Sequence, residues 1–174
     1  NMLQKKTLKC ILKIMEIYEF DNQYDENVKD LLVDLQKYVI SIDKYNLNII
    51  SSDYRDKYFQ YMLNDCTQGE GKVFVAIEND LCLGMIAGYV QKYGNRDKLD
   101  YLCPKKGIVS ELIVSANARN KGVGNKLLSK MENYFKSINC EYIQLDVFAY
   151  NSNAISFYNK NGYENRMITM FKKV

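Results

Sequence analysis

Histidine is absent from all 174 residues of the chain. That excludes a histidine-based triad, a histidine general base and histidine metal ligands. Proton transfer must fall to carboxylate, tyrosine, lysine, thiol or water. No apolar run approaches the ~20 residues that a membrane-spanning helix needs. Lysines interrupt residues 2–14, which argues against a signal peptide. Cysteines stand at 10, 66, 82, 103 and 140. Their number is odd and no Cys-x-x-Cys pair occurs, so they read as reduced thiols, with neither a disulfide framework nor a metal site. A net charge of +3 is too small to argue for nucleic acid or a membrane surface as partner. These absences together place the expected protein in the cytoplasm. Pro104 is the only proline, and no Ser/Gly-rich linker or internal repeat interrupts the chain. With 47% hydrophobic and 26% charged residues, it reads as one globular domain over 1–174, residues 1–12 forming a basic N-terminal extension.

What is present centres on residues 107–137. Residues 108–114 are apolar and β-branched, which suits a buried strand. Turn formers follow, then Arg119, Lys121, Gly122 and Gly124. Val123, Leu127, Leu128, Met131 and Phe135 then recur at helical spacing. A strand thus runs into a basic glycine-containing loop that opens a helix. The first turn of a helix has N–H groups without intrahelical partners, and the peptide dipoles add partial positive charge there. Glycines lack a Cβ, so an anion can approach the backbone closely. This pattern suits a pyrophosphate, and it equally suits an ordinary helix start with solvated lysines.

The segment Arg119-Asn120-Lys121-Gly122-Val123-Gly124 fits Arg/Gln-x-x-Gly-x-Gly/Ala and resembles the coenzyme A pyrophosphate loop of GNAT-type N-acetyltransferases. Downstream, Asn151, Ala154, Phe157 and Tyr158, followed by Gly162-Tyr163, resemble that family's second motif. Asn120 departs from the pattern, since many members have glycine there. The resemblance is close over 111–163 and looser upstream. It implies an α/β (α+β) fold with a mixed, mostly antiparallel sheet, helices on both faces, and a splay between two central parallel strands. It also implies acetyl-CoA as co-substrate and a small-molecule or peptide amine as acceptor. The alternative is a non-catalytic module that binds coenzyme A or a nucleotide. A homodimer is compatible with either.

The remaining elements are read from pattern. Residues 13–20 suggest a strand, and Asp25 a cap for a helix with Val28, Leu31, Leu32, Leu35, Val39 and Ile42 on one face. Ser51-Ser52 could cap a second helix over 53–63, whose Tyr54, Tyr58, Tyr61 and Met62 suit either core packing or an acceptor-pocket wall. Strands at 73–77 and 81–90 are joined by a hairpin at 78–80, and Gly84 and Gly88 suggest a bulge or close packing. A polar loop over 93–107 follows, read as a solvated connection or a cover for the acceptor site. Further strands are expected at 142–148 and 168–172, and a helix at 151–161 ended by Gly162.

The implied reaction is attack of an amine on the thioester. Freeing a lysine-like amine of pKa ~10.4 at neutral pH costs about 4.6 kcal/mol, whereas an α-amino group costs about 1 kcal/mol. Glu111, a carboxylate in an apolar strand, is the candidate base, and burial would raise its pKa; Asp146 is a weaker candidate. Tyr158 matches the family tyrosine that donates to the leaving sulfur. Asn151 and the backbone of Leu112, Ile113 and Val114 are expected to bind the pantetheine, and one N–H there to stabilise the oxyanion. Arg119, Asn120, Lys121, Gly122, Val123 and Gly124 are expected to hold the pyrophosphate.

Overall fold

The computed structural model describes residues 14–174; the N-terminal extension and Cys10 lie outside them. In chain order the elements are β1 (Glu16–Glu19), α1 (Asp25–Ile42), α2 (Tyr54–Gln68), β2 (Lys72–Glu78), β3 (Leu81–Val90), β4 (Lys106–Val114), α3 (Val123–Ser137), β5 (Tyr142–Leu145) and α4 (Ser152–Lys160). The sheet order is β1-β2-β3-β4-β5, antiparallel except for the parallel β4–β5 pair. This is the mixed, mostly antiparallel sheet expected. Asn79 and Asp80 both take positive φ, at 51° and 64°. They form the two-residue turn that matches strand twist in a tight hairpin.

Alternation along the strands divides the core in two. One face sends Val73, Val75, Ile77, Met85, Ala87 and Ile113 against Val28, Leu31 and Leu32 of α1 and Phe59, Met62 and Cys66 of α2. The other sends Phe74, Ala76, Ile86 and Val109 against the α3 stripe of Val123, Leu127, Leu128, Met131 and Phe135. Phe135 lies flat against β4: a Cβ on Gly107 would stand 2.6–2.7 Å from three atoms of its ring. That residue is glycine because a ring occupies the side-chain space.

Several expected boundaries shift. Lys13 lies outside the described residues, and β1 covers only Glu16–Glu19. Tyr24, not Asp25, occupies the N-cap of α1, with Asp25 the first helical residue. Asp53 takes the N-cap of α2 in place of Ser51-Ser52, and the Ser51 hydroxyl donates to its carboxylate at 2.8 Å. α2 continues to Gln68 because Cys66 extends the buried stripe begun by Phe59 and Met62. β5 stops at Leu145 rather than 148, and no strand forms at 168–172. Its apolar residues stay exposed, and β5 is left as the edge strand.

Candidate active site

The site begins where β4 and β5 part. They pair from Lys106↔Tyr142 to Val109↔Leu145. β5 then ends, while β4 continues to Val114 against β3 alone. Residues 110–114 therefore present backbone N–H and C=O groups with no strand on their outer side. Leu112, Ile113 and Val114 occupy this half-free edge.

Glu111 reaches its position through a bulge. Gly88 pairs with Val109 and Ala87 with Glu111, so Ser110 is an extra residue on β4. Strict alternation would put residues 109 and 111 on the same face. Instead Val109 enters the α3 core and Glu111 turns to α2, where Tyr58 Oη donates to its Oε1 at 2.5 Å. Glu111 is only 8% exposed. Burial raises its pKa from the ordinary 4.5 to about 7, the Tyr58 hydrogen bond acting against the rise. Tyr54 stacks on Tyr58 with ring centroids 4.8 Å apart. The aromatic stripe of α2 thus divides: Tyr54 and Tyr58 sit by the carboxylate, Met62 is core, and Tyr61 faces solvent.

Tyr158 approaches from the opposite side. α4 places it half-buried against the α3 core, with Phe157 and Tyr163 edge-on to its ring. Burial, and secondly the negative charge of Glu111, push its hydroxyl up to about 12. The hydroxyl stays protonated at neutral pH and is available as a donor. Asp146 is exposed, in keeping with its weaker candidacy.

The loop between β4 and α3 also takes a definite shape. Gly122 is the N-cap of α3 at φ 78°, a left-handed conformation that glycine adopts without strain. No heavy atom lies within 4 Å of where its Cβ would be. No side chain caps the helix and its first turn holds no acidic residue; Lys126 is the residue whose N–H reaches back to the Gly122 carbonyl, at 3.1 Å. The mouth of α3 therefore offers uncapped donors, flanked by exposed Arg119, Asn120 and Lys121. Asn120 stands at φ 61°. That is why glycine recurs there in the pattern, and asparagine is among the few other residues that tolerate it. At Gly124 a Cβ would meet Phe157 at 3.5 Å, an ordinary contact, so packing within the chain does not require glycine there. Val123 buries its side chain and leaves only its backbone to the mouth.

One residue went unnoticed in the sequence. Tyr38 of α1 donates its hydroxyl to Asn151 Oδ1 at 3.1 Å, and the Arg119 guanidinium sits 6.0 Å from the centre of its ring. Arg119 Nε in turn donates to the Val114 carbonyl at 3.3 Å. Asn151 Oδ1 also accepts from the Ala154 N–H at 3.1 Å, capping α4. The face read for α1 ran through Leu35, Val39 and Ile42 and passed Tyr38 by, since apolar spacing speaks of packing rather than polar partners.

Among the described residues no group of three or more His, Cys, Asp or Glu could hold a metal ion, and no helix is long and apolar enough to cross a membrane. Cys66, Cys82, Cys103 and Cys140 are free thiols.

Comparison with known proteins bears on the family and the fold. The acetyltransferase (GNAT) family model matches residues 37–163. An uncharacterized N-acetyltransferase of Methanocaldococcus jannaschii is 34% identical over 89 residues, 49% of this chain and 50% of that protein. The chain spans about half the length of the curated relatives it matches, 50% and 60% for two of them. Among solved structures, a mutant of the BH1408 protein of Bacillus halodurans superposes with a TM-score of 0.77 at 20% identity, covering 91% of this chain and 99% of that one. An aminoglycoside N-acetyltransferase in complex with CoA superposes with a TM-score of 0.66 at 14% identity, over 93% and 95% of the two chains. At such identities the likeness is one of fold.

Proposed function

The chain belongs to the acetyltransferase (GNAT) family, and on that premise we propose that it moves the acetyl group of acetyl-CoA to a primary amine of a small molecule or peptide. One observation carries the reading: Glu111, a buried carboxylate with a raised pKa on the part of β4 that extends past β5, lies close enough to Tyr158 for its charge to help keep that hydroxyl protonated.

In this reading the uncapped N–H groups at Gly122, Val123 and Gly124 bind the diphosphate. Arg119 and Lys121 add charge, and Asn120 supplies the left-handed turn that aims them. The pantetheine lies along the outer edge of Leu112, Ile113 and Val114. Asn151 Oδ1 is already engaged, so its amide N–H groups are what it offers the pantetheine. The amine enters from the α2 side, past Tyr54 and Tyr58. Glu111, close to half ionised at neutral pH, accepts the ammonium proton. The amine nitrogen then bonds to the acetyl carbon, and an N–H of β4 stabilises the oxyanion that forms. The nitrogen gives its second proton to water, and collapse of the intermediate breaks the C–S bond, the electron pair leaving on sulfur. Full proton transfer from Tyr158 at about 12 to a thiolate of pKa ~8.5 is uphill by about 5 kcal/mol. Tyr158 therefore holds its proton and stabilises the thiolate by hydrogen bonding.

The test is thiol release from acetyl-CoA across a broad amine panel, with Tyr158→Phe beside the wild type. The variant should release thiol more slowly while binding CoA nearly unchanged. CoA binding with no thiol from any amine would instead leave a non-catalytic binding module.

A further inference from the structure

A second cluster of charge lies at the other end of β4. Lys106, the first residue of that strand, is only 7% exposed. A buried ammonium is costly unless it is paired. Its Nζ donates to Gln144 Oε1 at 2.7 Å and lies 5.9 and 5.7 Å from the ring centres of Tyr93 and Tyr101. Arg166 places its guanidinium 5.4 Å from the same Tyr101 ring. Among the described residues, neither cation makes a salt bridge, whereas the neighbouring Lys105 pairs with Glu70 at 3.0 Å. The Tyr93 hydroxyl is buried there without a hydrogen-bond partner among the described residues. Residues 92–106 hold five cations (Lys92, Arg96, Lys98, Lys105 and Lys106) against Asp97 and Asp100. Their surplus of three equals the net charge of the whole chain.

The cluster shares a face with Glu111. Gly107 abuts Phe135 of α3 and Val109 enters the α3 core, so Lys106 and Ile108 point the other way. Beyond the Ser110 bulge, Glu111 joins them on the α2 side. Ile108 lies between, with Tyr89 and Gln144 as its neighbours on the flanking strands. Five steps of strand lead from Lys106 to Glu111, and the Ser110 bulge takes up part of one, which leaves about 15 Å at ~3.3 Å per residue.

We infer that Lys106 and Arg166 form an anion subsite on the acceptor face, and that the acceptor carries a carboxylate or phosphate about 15 Å from its amine. The amine half of this inference rests on the acetyl-transfer reading; the anion half stands independently. A phosphate ester or the C-terminal carboxylate of a short peptide would supply the charge. An extended peptide covers that span in roughly four or five residues.

Two measurements test it. Thermal unfolding is followed during titration with inorganic phosphate at fixed ionic strength, with CoA added to occupy the α3 mouth. Phosphate should raise the melting temperature of the wild type, and the response should weaken about tenfold in Arg166→Gln, the loss of one charge-assisted contact. Arg166 is exposed, so this variant avoids the folding risk of Lys106→Gln, which should show the same loss if it folds. Equal responses from wild type and Arg166→Gln would overturn the subsite. If CoA alone gives no shift, the acetyl-transfer reading has failed, and the phosphate titration of the free protein still decides the anion half. Separately, pentapeptides are compared as free acids and C-terminal amides, and a phosphorylated amino sugar with its unphosphorylated parent. In at least one pair the anionic member should be acetylated about tenfold better in kcat/KM, and Arg166→Gln should erase the difference. Equal rates within both pairs would detach the anion site from the acceptor.

Discussion

Replacing Glu111 by glutamine tests the buried carboxylate without any knowledge of the acceptor. Its pKa is raised from 4.5 to about 7 by burial, so the folded-state value exceeds the unfolded one. Below pH ~4.5 the group is protonated in both states, and its contribution to stability is fully present. As pH rises towards 7 the unfolded chain ionises first, and stability is lost across that window. The shift of 2.5 units (7 minus 4.5) corresponds to about 3 kcal/mol at 1.36 kcal/mol per unit. Glutamine keeps the shape and an acceptor oxygen for Tyr58 but cannot ionise. Urea unfolding of both proteins at pH 4.5, 6 and 8 isolates the effect, because the other groups titrate alike in each. Among those, hydrogen bonds from Asn48 and Tyr45 hold Asp43 down at about 2. Its contribution is present above ~3.9 and fades only as pH falls towards 2, outside the measured range. The expected result is that Glu111→Gln gains about 3 kcal/mol on the wild type between pH 4.5 and 8. Stability curves that stay parallel across that range would refute the raised pKa and, with it, the case for Glu111 as base.

Removing the hydrogen bond that opposes this rise should show in kinetics. Tyr58→Phe should move the acidic limb of the kcat/KM profile upward from about 7 by roughly one to two pH units, the worth of a hydrogen bond to a charged group; a fixed limb would separate Tyr58 from the base. Gly107→Ala should destabilise by about 1–3 kcal/mol in a denaturant melt, because its Cβ would stand only 2.6–2.7 Å from the Phe135 ring. Gly124→Ala should instead stabilise by up to ~1 kcal/mol through helix propensity; a rise in KM for acetyl-CoA alone would assign that glycine to the phosphate. Asn120→Gly should leave stability within ~0.5 kcal/mol, while Asn120→Val, β-branched at positive φ, should cost about 1–2 kcal/mol in the same melts.

Much of the centre of the fold was legible because its signals are local. Val123, Leu127, Leu128, Met131 and Phe135 announced α3, and Gly122 its start, to within one residue. The hairpin at Asn79-Asp80 was equally plain. The periphery was not. Residues 168–172 carry strand propensity, yet a strand needs a partner backbone, and propensity does not reveal whether one stands beside it. Likewise 146–148 look as strand-like as 142–145, but β5 ends where β4 ceases to be its neighbour. In the candidate site, Glu111 and Tyr158 could be nominated from pattern. Tyr58 was marked only as part of an aromatic stripe and Tyr38 not at all, because each acts through a partner 53 or 113 positions away along the chain. Asn120 read in the sequence as a departure from the pattern; its φ of 61° shows a conformational demand that asparagine meets.

The extra residue at Ser110 makes the placement of the carboxylate a matter of parity. Any change that keeps the count of residues between Lys106 and Ile113 leaves odd and even positions on their present sides, whatever the chemistry of residue 110. Removing Ser110 itself would only restore a regular ladder, with Val109 still opposite Gly88 and Glu111 opposite Ala87, and would leave the acid on the α2 side. The strand can therefore carry the bulge or lose it cleanly, and the acid keeps its side as long as Glu111 stands opposite Ala87.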